Sequence, residues 1–352
     1  MPDPNKVLGD RQKCLSFLLD SGVGVGTCPT KEMDRSAWIE QFEQGDVRAL
    51  SRVISWVENG NGDIPAELKP IFSRVGRAFR IGITGPPGAG KSTLVDGLAM
   101  LCRTEGRTVG IIAVDPTSPF SGGALLGDRV RMNRAGLDSG IFIRSMATRG
   151  SLGGLAEASL DAADVLDAFG KDMVILETVG VGQSELDVAR AADSTVVVLV
   201  PESGDGVQAM KAGLMEIGDI FVLNKADRPG ADRAAEELKS ALELKNIAGT
   251  WRPPVLLTIA HKGDGVPELL NVLKRHWRTL AESGALKEKR LSRRRERIRQ
   301  IAEGEISRRF WNDSRRQMLE EALARDENPF AIAGELTMSF FEGKRKKEKG
   351  KR

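Results

Sequence analysis

Six short apolar runs, rich in β-branched residues, are the feature that most limits how this 352-residue chain can fold. They are RIGIT, TVGIIAVD, DMVILET, STVVVLV, DIFVLNK and PVLLTIA, and helical patterns such as Ser92–Glu105 and Asp232–Asn246 lie between most of them. Runs that are apolar throughout are typical of strands buried on both faces, and strands that alternate with helices favour a parallel sheet. The predicted fold class is therefore α/β, with a largely parallel central sheet flanked by helices.

The first apolar run leads into a glycine-rich loop, GPPGAGKST, which occupies residues 85–93. The loop fits the pattern G-x-x-x-x-G-K-[ST], in which successive backbone N–H groups surround phosphate oxygens. A helix that starts near Ser92 adds the positive end of its dipole, Lys91 supplies a catalytic charge for the outer phosphates, and the Ser92 hydroxyl suits Mg²⁺. The predicted phosphate-binding residues are Gly85, Pro86, Pro87, Gly88, Ala89, Gly90, Lys91, Ser92 and Thr93.

A second nucleotide pattern, Asn224-Lys225-Ala226-Asp227, follows the run DIFVL. The Asp227 carboxylate can accept two hydrogen bonds from the N1–H and 2-amino groups of guanine, whereas adenine lacks this pair of donors. We therefore predict that Asn224, Lys225 and Asp227 bind the base, and the alternative is that Asp227 caps a helix. The loop Ile259-Ala260-His261 follows the last run, and its backbone is predicted to pack on the guanine.

Acidic residues follow two further runs: Asp115 comes after VGIIAV, and Glu177 comes after DMVIL. Ligands of parallel α/β sheets bind at the carboxyl ends of the strands, so both acids are expected near the phosphates. Mg²⁺ prefers oxygen ligands, and we predict that Ser92, Asp115, Asp128 and Glu177 hold it, with Asp115 and Glu177 also catalytic. The alternative for Asp115 is that its carboxylate caps a turn and does not bind Mg²⁺. The backbone N–H of Gly180 is predicted to face the γ-phosphate.

The regions outside the alternating pattern divide the chain further. We expect a loosely ordered extension over residues 1–31, a helical segment over 32–78, a P-loop domain over 79–284, a helical arm over 285–343 and a basic tail over 344–352. The arm carries apolar residues at helical spacing that must be buried somewhere, either on the rest of the chain or in a dimer. These residues are Ile298, Ile301, Ile306, Phe310, Trp311 and Met318.

Composition and charge exclude several classes of protein. The three cysteines form no C-x-x-C pattern and the two histidines are not at ligand spacing, so we expect a reducing cytoplasm and no Cys/His metal site. No run is long enough to span a membrane, and no signal peptide is evident, so no membrane partner is expected. The net charge is +3, and the basic segment Lys287–Gln300 is interpreted as a solvated helix face, with contact to an acidic partner as the alternative. No nucleic-acid partner is expected.

Several long stretches together resemble the MeaB/ArgK family of SIMIBI-class P-loop GTPases. They are GPPGAGKST, VDPTSPFSGGALLGDRVRM, ATRGSLGGLA, ILETVGVGQSE, GDGVQAMKAGLMEIGDIFVLNKAD and NPFAIAGEL, and the resemblance runs from about Ser36 to Leu336. It implies a homodimer with GTP or GDP and Mg²⁺ as cofactors. It also implies a chaperone that gates adenosylcobalamin loading into an acyl-CoA mutase, most often methylmalonyl-CoA mutase, and that protects or reactivates it.

The resemblance also implies residue roles. Lys91 and Ser92 match the P-loop lysine and the magnesium serine, Asp227 matches the guanine reader, and the magnesium-site acids match Asp115, Asp128 and Glu177. The stretch SGDGVQAMK resembles a switch that relays the nucleotide state to the mutase, with Asp205, Gln208 and a catalytic Lys211 as its polar positions. One departure is the pair Ile259-Ala260, which stands where the family has Ser-Ala, so a serine hydroxyl contact to the base is lost.

Three other functions stay open from the sequence. An ArgK-type kinase is disfavoured because no acceptor site is evident, and a metal-insertion GTPase is disfavoured because histidine and cysteine are scarce. The third open function is a nucleotide-dependent adaptor, in which hydrolysis of the nucleotide would be incidental. Methylmalonyl-, isobutyryl- and ethylmalonyl-CoA mutases are all possible partners.

Overall fold

The computed structural model describes most of the chain from residue 35 onward. The described residues are 35–60, 64–116, 132, 134–148, 154–178, 184–201, 213–244, 251–324 and 328–349. The predicted extension over 1–31 lies outside them, and so do residues 350–352 of the predicted basic tail.

Seven strands form one sheet in which all neighbouring strands are parallel. Its order from edge to edge is β3-β2-β4-β1-β5-β6-β7. The strands are β1 (Phe79–Thr84), β2 (Val109–Pro116), β3 (Ile141–Thr148), β4 (Met173–Thr178), β5 (Ser194–Leu199), β6 (Ile220–Asn224) and β7 (Val255–Thr258). The predicted fold class is therefore confirmed.

Strand β3 was not among the predicted strands. It lies at the edge of the sheet, where it pairs with β2 alone, and its sequence IFIRSMAT is partly polar. Phe142 and Met146 are buried on one face, while Arg144 between them binds Glu58 and Ser55. An edge strand with a half-buried charged residue lacks the continuous apolar run by which the central strands were recognised.

Helices cover both faces of the sheet. They are α1 (Arg35–Glu43), α2 (Val47–Asn59), α3 (Lys91–Thr104), α4 (Gly154–Ala168), α5 (Ser184–Ala191), α6 (Leu214–Ile217), α7 (Ala231–Glu243), α8 (Val266–Glu282), α9 (Ala285–Phe310), α10 (Asp313–Ala324) and α11 (Pro329–Lys349). Two 3₁₀ helices span Ala66–Arg74 and Ala135–Leu137. In the described part of the chain, no helix combines the length and the apolar character needed to cross a membrane.

Successive residues of each central strand enter different cores, as the pleat requires. Ile111 of β2 packs in a cluster with Leu94 of α3 and Leu269 of α8. Its neighbour Ile112 packs on the other face, in a cluster with Leu50 of α2 and residues of α4. The predicted N-terminal helical segment is thus part of the main core, because its apolar face covers the half of the sheet that ends in β3.

The long helix α9, called the arm helix below, contains no buried residue. Its first half is attached to the rest of the chain by ion pairs, in which Arg290 and Arg293 contact Asp193 and Arg297 contacts Asp161. The sequence suggested that the basic segment Lys287–Gln300 is a solvated helix face. The ion pairs show that part of this segment instead contacts the rest of the chain. About two turns, from Arg290 to Arg297, are held by carboxylates of the same chain.

Part of the predicted apolar stripe is buried locally and part is exposed. Phe310 and Met318 pack against a small cluster formed by Ala322, Ile332 and Leu336 of α10 and α11. In contrast, the exposed fraction is 59% for Ile298, 43% for Ile301 and 59% for Ile306. Packing within one chain therefore covers the C-terminal end of the stripe and leaves its first three residues exposed.

Candidate guanine-nucleotide site

The glycine-rich loop connects β1 to α3 at the carboxyl edge of the sheet, between β4 and β5. Two of its glycines are required by space as well as by backbone angle. A Cβ on Gly85, whose φ is 138°, would lie 2.0 Å from the carbonyl oxygen of Val198. A Cβ on Gly90, whose φ is 88°, would lie 2.4 Å from Nδ2 of Asn224. The loop is therefore packed directly against β5 and against the end of β6.

Lys91 is the first residue of α3, one position before the predicted start of the helix, and its side chain is buried. Its ammonium group donates hydrogen bonds to the carbonyl oxygens of Gly85 and Pro86, at 2.8 and 2.9 Å. The charge is thus held over the concave side of the loop. Phosphate oxygens would be its partners in a nucleotide complex.

The predicted magnesium residues Ser92 and Glu177 lie together. The Ser92 hydroxyl donates a hydrogen bond to Oε1 of Glu177 at 2.6 Å, and Glu177 is only 6% exposed at the end of β4. Both groups offer oxygen, the ligand type that Mg²⁺ prefers, so the donor set fits this ion. Asp115 lies one residue beyond the Val114–Thr178 pair of the β2–β4 register, which brings its backbone to the same edge.

Asn224 connects three parts of the site through one buried side chain. Its Nδ2 donates to the carbonyl oxygen of Ala89 in the glycine-rich loop at 2.7 Å. Its Oδ1 accepts hydrogen bonds from the Thr258 hydroxyl and from the backbone N–H of Ala260, both at 3.0 Å. Asn224 therefore connects the base-binding pattern to the glycine-rich loop, although the two are more than a hundred residues apart in sequence.

The remaining predicted base-binding residues surround Asn224. Lys225 is the one described residue other than glycine with a positive φ, 60°, and the backbone N–H of Ala226 donates to the carbonyl of Thr258 at 3.0 Å. Asp227 and His261 are exposed, while Ala260 is buried. The Asp227 carboxylate is therefore accessible to a ligand at the edge of the sheet that carries the glycine-rich loop.

Several predicted site residues cannot be compared with this geometry. Asp128, Gly180, Asp205, Gln208 and Lys211 lie outside the described residues. Their assignments stay predictions. In the part of the chain that the structure describes, no group of three or more His, Cys, Asp or Glu residues is arranged to hold a metal ion.

Two residues near the site were not identified from the sequence. Thr258, 1% exposed, orients Asn224, and its place at the end of the last predicted strand was the available signal. Glu185 lies in the first turn of α5 and is 7% exposed, although acidic residues are rarely buried. Burial raises the pKa of the Glu185 carboxyl above its usual value, and the positive charge of Lys91 opposes this rise. An acid at the start of a helix gives no sign in sequence that it is buried.

The chain is similar to several known proteins. The family model described as "Methylmalonyl Co-A mutase-associated GTPase MeaB" matches residues 50–315. A Pyrococcus abyssi protein that is provisionally named a GTPase is 50% identical over 312 residues, which are 87% of this chain and 96% of that protein. GTPase ArgK of Escherichia coli is 36% identical over 276 residues, 76% of this chain and 83% of its own.

A solved structure described as a LAO/AO transport system kinase has the same fold. Its TM-score is 0.65 at 28% sequence identity, and the match covers 88% of this chain and 99% of that one. The family match spans the glycine-rich loop, the Ser92–Glu177 pair and the base-binding pattern around Asn224. The chain belongs to the MeaB family of methylmalonyl-CoA mutase-associated GTPases.

Proposed function

We propose that this protein binds and hydrolyses GTP in the presence of Mg²⁺, and that its nucleotide state gates adenosylcobalamin loading into a methylmalonyl-CoA mutase or a related acyl-CoA mutase. In this role it would also protect or reactivate the mutase. The observation that carries the nucleotide assignment is the Asn224 side chain, which joins the base-binding pattern to the glycine-rich loop. The mutase assignment is supported by the description of the family.

The phosphate end of the nucleotide is bound by the loop and by Lys91. On binding, the ammonium group exchanges the carbonyl oxygens of Gly85 and Pro86 for phosphate oxygens, which carry full charge. Ser92 and Glu177 would hold Mg²⁺, with Asp115 and Asp128 as the further proposed ligands. The ion would neutralise negative charge on the phosphate oxygens during transfer to water.

The base is selected by hydrogen bonding. The exposed Asp227 carboxylate accepts from the N1–H and 2-amino groups of guanine, and the backbone of residues 259–261 packs on the ring. Adenine would leave the carboxylate without these donors, which is the physical basis for the selectivity. Because Asn224 holds the loop of Ala260 and the carbonyl of Ala89 together, base and phosphate contacts form as one unit.

Control of the mutase is assigned to loops that respond to the γ-phosphate. We infer that GTP orders the segments Asp115–Asp128 and Ser203–Lys211 and that hydrolysis releases them, with Asp205, Gln208 and Lys211 relaying the state to the mutase. Hydrolysis is expected to be slow for the protein alone and faster with the mutase, since a partner or the second subunit completes the positioning of water and phosphate.

The assay is GTP hydrolysis by the purified protein with and without a cobalamin-dependent mutase from the same source, with ATP as the control nucleotide. Stimulation with GTP alone is the expected result. An unchanged GTP rate at saturating mutase would contradict the partner assignment, and equal rates with ATP would contradict the role of Asp227.

The arm is proposed to form a homodimer, because Ile298, Ile301 and Ile306 expose an apolar stripe that one chain leaves open. The double variant Ile298→Asp, Ile306→Asp should be a monomer by light scattering at a concentration where the wild type is a dimer. Ser307→Asp, on the same exposed helix, is the matched control and should remain a dimer. A monomeric wild type, or a dimeric double variant, would contradict the arm assignment.

A phosphotransfer reaction is the second candidate, and the description of the structurally similar kinase favours it. The same assay with radiolabelled γ-phosphate distinguishes the two, because transfer to an amino acid or a protein replaces release of inorganic phosphate. Quantitative release of phosphate in the presence of candidate acceptors would exclude the kinase.

We also propose that the protein acts in the cytoplasm. The proposal is based on the scarcity of cysteine and on the proposed GTPase activity.

A further inference from the structure

Two buried threonine hydroxyls meet at the ends of the strands that carry the glycine-rich loop and the proposed magnesium acid. Thr84 is the last residue of β1 and immediately precedes Gly85. Thr178 is the last residue of β4 and immediately follows Glu177. The Thr178 hydroxyl donates a hydrogen bond to the Thr84 hydroxyl at 3.0 Å, and both residues are fully buried. The pair therefore joins two parts of the nucleotide site without belonging to either.

The backbone pairing of β1 with β4 ends just before this pair of hydroxyls. The last register pair between the two strands is Ile83 with Glu177. One residue further, Thr84 still pairs with β5 and Thr178 still pairs with β2, each on the other side of its own strand. The hydrogen bond between the side chains thus continues the connection between β1 and β4 at the level where the loop begins.

The groups that meet the nucleotide lie on the opposite face of the sheet from the two hydroxyls. Oε1 of Glu177 accepts a hydrogen bond from the first turn of α3 at 2.6 Å. Because successive residues of a strand point to opposite faces, Thr178 lies on the face away from α3. Thr84 is bonded to Gly85, whose carbonyl accepts a hydrogen bond from Lys91. The distance between the two hydroxyls therefore limits the distance between Glu177 and the loop.

We propose that Thr84 and Thr178 are positioning residues for the Mg²⁺ site, and that their hydrogen bond sets the distance between the Glu177 carboxylate and the glycine-rich loop. The inference rests on the proposed nucleotide site and adds to it the contact that holds its two halves in register. The threonines act through Glu177 and through the loop, since their own side chains lie on the other face of the sheet.

The size of the effect follows from contact distances. The two hydroxyl oxygens are 3.0 Å apart, whereas two methyl carbons approach each other only to about 3.5–4.0 Å. Valine at both positions should therefore widen the gap between the ends of β1 and β4 by about 0.5–1 Å. Mg²⁺ demands near-ideal octahedral geometry, and a misplacement of about 1 Å can lower a catalytic rate about a hundredfold.

The test measures the Mg²⁺ concentration that gives half-maximal GTP hydrolysis, together with the affinity for GDP in EDTA. The variants Thr84→Val, Thr178→Val and the double variant remove the hydrogen bond, whereas Thr178→Ser keeps the hydroxyl. Thr195→Val is the matched control, because Thr195 is also a buried strand threonine but lies near the start of β5, away from the loop.

The double variant should need at least tenfold more Mg²⁺ than the wild type, because residues that orient a metal ligand typically change metal affinity by about 10–100-fold. Its maximal rate should also fall, while its affinity for GDP in EDTA should stay unchanged, since the loop keeps its own contacts. Thr178→Ser and Thr195→Val should both follow the wild type in Mg²⁺ requirement.

The single and double variants separate positioning from stability. Each single valine removes one partner of a buried hydrogen bond and should lower the melting temperature, whereas removal of both partners is nearly neutral. A general loss of stability would therefore raise the Mg²⁺ requirement most in the single variants. A positioning role predicts that the double variant is affected at least as strongly as either of them.

An unchanged Mg²⁺ requirement in the double variant, or an equal increase in Thr195→Val, would overturn this inference and leave the nucleotide site intact. A wild type that hydrolyses no GTP at any Mg²⁺ concentration would overturn the proposed function and the inference together.

Discussion

The attachment of the arm helix to Asp193 leads to a quantitative prediction. Asp193 is fully buried just before β5, and its carboxylate accepts hydrogen bonds from the backbone N–H of Arg80 at 3.1 Å, from Arg290 at 2.7 Å and from Arg293 at 2.6 Å. Asp193→Asn keeps the shape of the side chain and removes its charge. Two guanidinium groups would then lose their counter-ion, and the new amide N–H₂ would face one of them.

The expected cost is about 3 kcal/mol of unfolding free energy. Removing one partner of a buried ion pair typically costs about 3–5 kcal/mol, because the other charge stays buried. The lower end applies here, since Arg290 also donates to the carbonyl oxygens of Gly76 and Ala78, and Arg293 also donates to that of Ala191. For a chain of 352 residues, such a loss lowers the melting temperature by about 4 °C.

Thermal unfolding at pH 7, followed by circular dichroism, measures this loss. Glu296→Gln is the control, since Glu296 pairs with Arg299 on the exposed side of the same helix and should leave the melting temperature unchanged. Equal melting temperatures for Asp193→Asn and Glu296→Gln would refute the conclusion that the buried pairs hold the arm.

The same variant has a defined pH dependence. Burial tends to raise the pKa of Asp193, but Arg290 and Arg293 outweigh it and lower the pKa below 3.8. A carboxyl group whose pKa is lower in the folded protein contributes stability that is complete above the unfolded value and is lost as the pH falls through the folded value. The difference between the wild type and Asp193→Asn should therefore be constant from pH 7 to about pH 5 and shrink only below 3.8.

Two further predictions concern the glycine-rich loop and the residue that supports it. Gly85→Ala should abolish nucleotide binding and destabilise the fold, because the new methyl group meets the carbonyl of Val198, whereas Gly88→Ala has nothing within 4 Å and should cost only the backbone strain of a positive φ, about 1 kcal/mol. Similar nucleotide affinities for the two variants would contradict this reading of the loop. Asn224→Ala should lower the unfolding free energy by about 2 kcal/mol, since it leaves buried partners such as Ala89 unpaired. It should also weaken GDP binding at least tenfold in a fluorescence titration, and an unchanged affinity would show that Asn224 does not position the loop.

The central sheet and most of the nucleotide site could be predicted because each depends on a local pattern. Continuous apolar runs identify β1, β2, β4, β5, β6 and β7, and the rule that parallel strands end at one edge brings Lys91, Glu177 and Asn224 together. The prediction needed no knowledge of which strands are neighbours.

The features that escaped prediction depend on contacts that are distant in sequence. Asp193 and Arg290 are 97 residues apart, and nothing in the basic segment of the arm shows that part of it meets buried carboxylates. Glu185 could not be distinguished from an ordinary exposed acid in a first helical turn, because its burial depends on how α5 packs against β1. Strand β3 was missed because its pattern is mixed at the edge of the sheet.

Strand β5 fixes the spacing between the arm and the phosphate loop. Asp193, immediately before the strand, holds the arm, and Val198 near its other end touches Gly85. Five residues of extended chain separate these positions by about 17 Å. Deletion of a single residue between them would move the arm by about 3.3 Å and invert the faces of the strand. The length of β5 should therefore tolerate no insertion or deletion, whereas the exposed half of the arm helix can change in length without disturbing the nucleotide site.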